Sequence, residues 1–83
     1  MYSMGGLVEY AVIPSTSVAV APDSIDLVPA AILGCAAMTG YGAVRRGADL
    51  RFGETVAVIA TGGVGTNIVQ IVCAFEASQI ITQ

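Results

Sequence analysis

Thr55 to Ala60 is an apolar run without polar alternation, the pattern of a strand buried on both faces of a parallel sheet. The run breaks into the cluster Thr61-Gly62-Gly63-Val64-Gly65. From there Val64, Ile68, Ile71, Val72 and Phe75 recur at spacings of three and four, which places them on one face of a helix. Gln79 to Thr82 begins another strand, so residues 55 to 82 are expected to form one βαβ unit. Upstream, Leu7 to Pro14 alternates imperfectly around Glu9 and is rich in Val, Ile and Tyr, which predicts a strand ended by proline. Ser17 to Ala21 predicts a second short strand, closed by Pro22-Asp23. Asp26 caps a predicted helix that opens near Leu27, with Pro29 tolerated in its first turn and Gly34 as its break. Cys35 to Val44 predicts a second helix of small residues, stopped around Arg46-Gly47, and Leu50 to Glu54 a polar turn.

Composition narrows what such a chain can be. Its 83 residues allow one small domain, which at this size buries only about 60% of its unfolded surface. Hydrophobic residues make up 55% and charged residues 11%, against roughly 25% charged in an ordinary soluble domain. The surface of a free monomer would be greasy, and the chain alone is expected to oligomerise or aggregate. A net charge of −3 with only Arg45, Arg46 and Arg51 as basic side chains excludes a nucleic-acid footprint. Cys35 and Cys73 lie outside any CxxC or zinc-ribbon spacing, which suits a reducing cytoplasm. Met1 to Gly6 lacks the basic start and apolar core of a secretory signal.

The candidate chemistry sits in the glycine cluster. Between a strand and a helix, Gly62, Gly63, Val64 and Gly65 let the backbone approach a pyrophosphate, and the free N–H groups and dipole of the helix attract its charge. The same glycines could instead serve only close packing in a tight turn. Cys35 could be a buried small residue, Thr39 could bond back to its own helix, and Cys73 fits a packing role.

Three blocks carry a wider likeness: Gly5-Gly6-Leu7-Val8-Glu9-Tyr10-Ala11-Val12-Ile13-Pro14, then Leu33-Gly34-Cys35-Ala36-Ala37-Met38-Thr39-Gly40-Tyr41-Gly42-Ala43, then Gly53-Glu54-Thr55-Val56-Ala57-Val58-Ile59 with Gly62-Gly63-Val64-Gly65. In order and spacing the chain resembles the zinc-containing medium-chain alcohol dehydrogenases over nearly its whole length. The resemblance implies an α/β fold, a partial Rossmann-type βαβ unit preceded by short strands and helices of the catalytic-domain junction. Residues 1–33 would be the remnant of the catalytic, GroES-like domain, and residues 34–83 the start of the NAD(P)-binding Rossmann domain. It further implies Cys35 as a catalytic-zinc ligand, Thr39 as a catalytic residue against the nicotinamide, and Gly62, Gly63, Val64 and Gly65 around the pyrophosphate. The cofactors would be NAD or NADP and zinc, the substrate a small alcohol or carbonyl compound, and the zinc a Lewis acid for hydride transfer.

The departures bear on the same points. The chain has no histidine, whereas the family's zinc takes a cysteine and a histidine from upstream sequence. Ala60 holds the first position of Gly-x-Gly-x-x-Gly, and Glu76 stands where the family has a helix-ending glycine, a position that needs positive φ. The acidic residue for the ribose, about 20 residues past the glycines, would fall just after Gln83, so NAD and NADP are not separated. The zinc and cofactor sites are thus expected to be incomplete and the chain inactive alone. Two other classes remain open. Residues 27–44 and 56–75 are free of charge, with all three arginines in or beside the loop between them, as in a two-span membrane hairpin. Pro29, the glycine cluster, Thr66, Asn67 and Gln70 argue against it. A non-catalytic fragment that binds another chain through its apolar faces is the third.

Overall fold

The computed structural model describes residues 5 to 83. Residues 1 to 4, which open the expected catalytic-domain remnant and the stretch read as lacking a signal, lie outside the described residues. Three α-helices and two strands follow in chain order: α1 (Leu27–Ala30), α2 (Ala36–Gly42), β1 (Thr55–Val58), α3 (Gly63–Ala74) and β2 (Gln79–Thr82). A 3-10 turn at Ala31–Gly34 extends α1, and a π-helical turn at Ala43–Gly47 extends α2.

The βαβ unit forms where the change of period predicts it. β1 and β2 pair in parallel, with Val56 opposite Ile80 and Val58 opposite Thr82. Period-two alternation puts Val56, Val58 and Ile80 on one sheet face, and that face meets α3. The core contains Val44, Leu50 and the fully buried Val72, flanked by Val56, Ile68, Ile71, Phe75, Ala77 and Ile80. Val64, expected on the same helical face, is exposed; Gly65 is the residue that turns toward the strand. β1 is covered on one face only, since Ala57 and Ile81 on the other lie open.

α2 reaches α3 through Gly40. A Cβ there would lie 3.3 Å from both Ile68 Cγ1 and Ile71 Cδ1, so the absent side chain lets the two helices approach. At the start of the helical segment the Asp26 carboxylate accepts the Val28 N–H at 3.2 Å, the expected cap. The break falls at Gly34-Cys35, where Cys35 leaves helical geometry at φ −128° and ψ −73° and the axis bends by 44°.

The two expected N-terminal strands are absent. Leu7 to Pro14 and Ser17 to Ala21 contain no strand, and Ser15–Ser17 is a 3-10 turn. A strand exists only with a partner to take its backbone hydrogen bonds, and among the described residues the sheet is β1 with β2 alone. Leu7, Tyr10, Val12 and Val20 stay exposed in consequence. This open arm accounts for a radius of gyration of 15.2 Å, against about 12 Å for a compact chain of this length. The hairpin alternative loses its second span, because 56–75 contains a strand, a turn and a 12-residue helix. No single helix among the described residues is long and apolar enough to cross a membrane; the bent pair 27–34 and 36–47 has only the length and composition.

α3 ends in a Schellman motif. The Glu76 N–H donates to the Cys73 carbonyl at 3.0 Å and the Ala77 N–H to the Val72 carbonyl at 3.2 Å. Glu76 sits at φ +55°, the left-handed conformation expected from the glycine it replaces. That geometry disfavours a side chain by on the order of 1 kcal/mol relative to glycine. Glu76→Gly is expected to stabilise the fold by about that amount in a urea melt. Equal or lower stability in the variant would mean that the left-handed turn is not formed in solution.

Candidate functional site: the glycine turn at the start of α3

The turn between β1 and α3 is held from three sides. The Gln83 N–H donates to the Val58 carbonyl at 3.2 Å and the Ala60 N–H to the Gln83 carbonyl at 2.8 Å, which carries the parallel pairing past the end of β1. Ala60 then reverses the chain at φ +70°, a left-handed backbone. Its carbonyl comes to lie over Gly65, where a Cβ would collide with the Ala60 oxygen and stand 3.1 Å from the Ala60 carbonyl carbon. Gly65 is therefore a packing glycine, the place where the turn after β1 and the helix touch backbone to backbone.

Gly62 and Gly63 differ from it. A Cβ at either would meet nothing within 4 Å, so packing does not require them and both face open space. Gly62 is the N-cap of α3 and supplies no side-chain cap, and the first turn carries no acidic residue. The leading N–H groups of the 12-residue helix thus keep their partial positive charge unneutralised by side chains. The turn itself is braced by polar side chains facing the backbone. Thr66 Oγ1 donates to the Thr61 carbonyl at 3.1 Å, and Asn67 Nδ2 donates to the Gly63 carbonyl at 2.7 Å. Val64 follows in the first helical turn with its side chain exposed.

The other singled-out residues lie on α2 and its start. Thr39 is exposed on α2, its N–H donating to the Cys35 carbonyl at 2.9 Å. The next residue, Gly40, touches Ile68, so Thr39 belongs to the helix that flanks α3. Cys35 is an exposed free thiol at the break before α2, and Cys73 is exposed on α3 rather than packed. A catalytic zinc needs three protein ligands. The chain has no histidine, and among the described residues no three His, Cys, Asp or Glu side chains gather. The donor set therefore does not fit zinc by itself, whereas the open, uncapped glycine turn does fit a phosphate group.

An apolar cavity of about 610 Å³ lies between residues 16–22 and the helical segment that includes Leu33 and Met38. It shares no lining residue with the glycine turn. Sequence reasoning marked Ala60 only as a departure from a glycine pattern; its left-handed backbone and its bond to Gln83 were not foreseen. The signal was there in its position, at the end of the apolar run and two residues before Gly62.

Comparison with known proteins bears on this segment. The chain is 38% identical over 73 residues to S-(hydroxymethyl)glutathione dehydrogenase of Saccharomyces cerevisiae, an alignment that covers 88% of this chain and 19% of that protein. It is 37% identical over 70 residues to alcohol dehydrogenase B of Mycobacterium tuberculosis, covering 84% and 19%. Over the segment it spans, the chain matches the alcohol dehydrogenases as a fragment of that family would. Alcohol dehydrogenase 6 of Rattus norvegicus is 37% identical over 79 residues, 95% of this chain and 21% of that protein. The chain thus spans about a fifth of the length of the curated relatives it matches. No protein-family model matches it, and no solved structure does. The parallel β1-α3-β2 unit is the α/β element that the resemblance leads one to expect.

Proposed function

We propose that this alcohol dehydrogenase segment carries the pyrophosphate-binding turn of an NAD(P)-linked oxidoreductase, one that moves a hydride between an alcohol and an aldehyde or ketone. The observation that carries the reading is the division of labour among the glycines. Gly65 is consumed by strand–helix packing while Gly62 and Gly63 stay open at an uncapped helix start. A merely structural turn has no use for the two open glycines; a phosphate approaching the backbone does. Val64 would add its N–H to the same cradle, and β1-α3-β2 would be the opening of a Rossmann-type sheet.

The domain division at residue 34 is part of the proposal. The 44° bend at Cys35 falls between the exposed arm and the segment packed on α3, which supports residues 34–83 as the start of the nucleotide-binding domain and residues 1–33 as the remnant of a GroES-like one. In the family's pattern Thr39 would stand by the nicotinamide and Cys35 would be one zinc ligand. Among the described residues Cys35 has no partners for a metal, so no step is assigned to one. A cytoplasmic setting matches the two free thiols.

The 83-residue chain assayed alone is expected to bind NADH with affinity on the order of millimolar, as a few phosphate contacts give, and to show no alcohol-dependent NAD(P) reduction, with or without added zinc. Amide resonances of Gly62, Gly63, Val64 and Gly65 should shift on titration with NADH, and Gly63→Val, which fills the open cradle, should remove the response. Shifts that spare these four amides would overturn the assignment of the turn. Steady turnover by the isolated chain would overturn the view that its site is incomplete.

A further inference from the structure

We propose that the cavity between the N-terminal arm and the bent helical segment is a binding site for a neutral aliphatic molecule with one hydrogen-bonding end. Two turns fix the ends of the arm. Ser15–Ser17 closes one, with the Ser17 N–H donating to the Pro14 carbonyl at 2.9 Å, and the Ile25 N–H closes the other on the Pro22 carbonyl at 3.0 Å, just before the Asp26 cap. Between them Val18 to Ala21 runs without a backbone hydrogen bond to any described residue. The opposite wall spans the bend: Ala30, Leu33 and Gly34 precede it and Met38 follows it. Small residues account for the space. Ala19, Ala21 and Ala30 are short, and a Cβ on Gly34 would meet nothing within 4 Å.

The volume of about 610 Å³ falls within the range of small-molecule sites, about 300–1,000 Å³. The lining sets the chemistry of the occupant. It contains no charged side chain, so a carboxylate or an ammonium would lose water there without gaining a partner. It contains no aromatic ring, so nothing stacks on a planar ligand. Leu33 and Met38 keep 47% and 62% of their surface in water, and an aliphatic chain laid between them and Val18 would cover part of it. Met38 adapts its shape to such a chain. The hydrogen-bonding end has two kinds of partner. Thr16 and Ser17 are the lining residues with polar side chains, and the backbone groups of Val18 to Ala21 are not taken up by backbone bonds to any described residue.

The test follows the methyl resonances of Leu33 and Met38 in the 83-residue chain on titration with octanamide, nonanamide and decanamide, with octanoate and octylammonium as charged probes of the same length as the first. Saturable shifts at both residues are expected, tightening about two- to fourfold per added methylene as the CH₂ is half or fully buried, with both ions roughly tenfold weaker. Met38→Glu is expected to weaken octanamide roughly tenfold. Leu27→Glu, on the same segment and exposed but outside the lining, should change it less than about twofold. Equal loss in both variants, or shifts that spread to Phe52 and Ile59, would reduce the effect to partition onto exposed apolar surface and overturn the proposal. Tighter binding of either ion would overturn the neutral assignment. Shifts that follow chain concentration instead of the amide would give the cavity to the arm of a second copy and overturn it too, as would the absence of any saturable shift.

Discussion

Gly65→Ala is expected to destabilise the βαβ unit by about 3 kcal/mol or more, the upper end of what overpacking does. The added methyl has no space: it would fall on the Ala60 carbonyl oxygen, a backbone atom that cannot rotate away as a side chain does. Relief requires α3 and the Ala60 turn to move apart, which either breaks the Ala60–Gln83 hydrogen bond or shifts α3 and with it Val72, the fully buried residue at the centre of the core. Gly62→Ala is the matched control. It has the same chemistry in the same turn, but its Cβ meets nothing within 4 Å and Gly62 already sits at φ −73°. A change within about 0.5 kcal/mol is expected there. Urea denaturation followed by far-UV circular dichroism separates the two. Similar midpoints would mean that strand and helix do not meet at Gly65.

The same pair of glycines shows what was legible in the sequence. The position of the turn, the strand before it and the helix after it follow from the switch between a continuous apolar run and a spacing of three and four. Those signals are local and need no partner. Which glycine packs and which stays open is set by the approach of β1 to α3, and no one-dimensional spacing contains that distance. Gly40 is a similar case: it reads as one more small residue on a helix, and only the contact with Ile68 and Ile71 gives it a task. The left-handed Glu76 was legible, because a helix end demands positive φ whatever residue stands there.

The strands expected at Leu7 to Pro14 and Ser17 to Ala21 failed for the opposite reason. Their residues have the right propensity, yet propensity describes the fit of a side chain to a pleated surface, and a strand without a neighbour has no such surface. Val64 failed because a helical face is broader than a list of apolar positions. The contact with β1 rotates α3 so that Gly65 and Ile68 turn inward and Val64 is left at the rim.

The purified 83-residue chain is expected to self-associate. A two-stranded sheet is marginal in water, and here each strand pairs on one side only, so both edges offer unpaired backbone groups. The side of the sheet away from α3 is uncovered as well, with Ile81 half exposed and Ile59 open just beyond β1. Leu27, Val28 and Phe52 add exposed apolar area elsewhere, and the few charged side chains leave little to oppose contact. The exposed pairs Arg45–Asp49 at 3.3 Å and Arg51–Asp49 at 3.8 Å contribute little against this. Sedimentation velocity at tens of micromolar should therefore show oligomers or aggregates that mild detergent disperses. Joint Ile59→Lys and Ile81→Lys substitution should shift the distribution toward monomer, since it places like charges on the uncovered face without touching the core. A monodisperse monomer with a cooperative melt in the unaltered chain would contradict the expectation. Association that the two lysines leave unchanged would move its cause from the sheet to the exposed arm and α1.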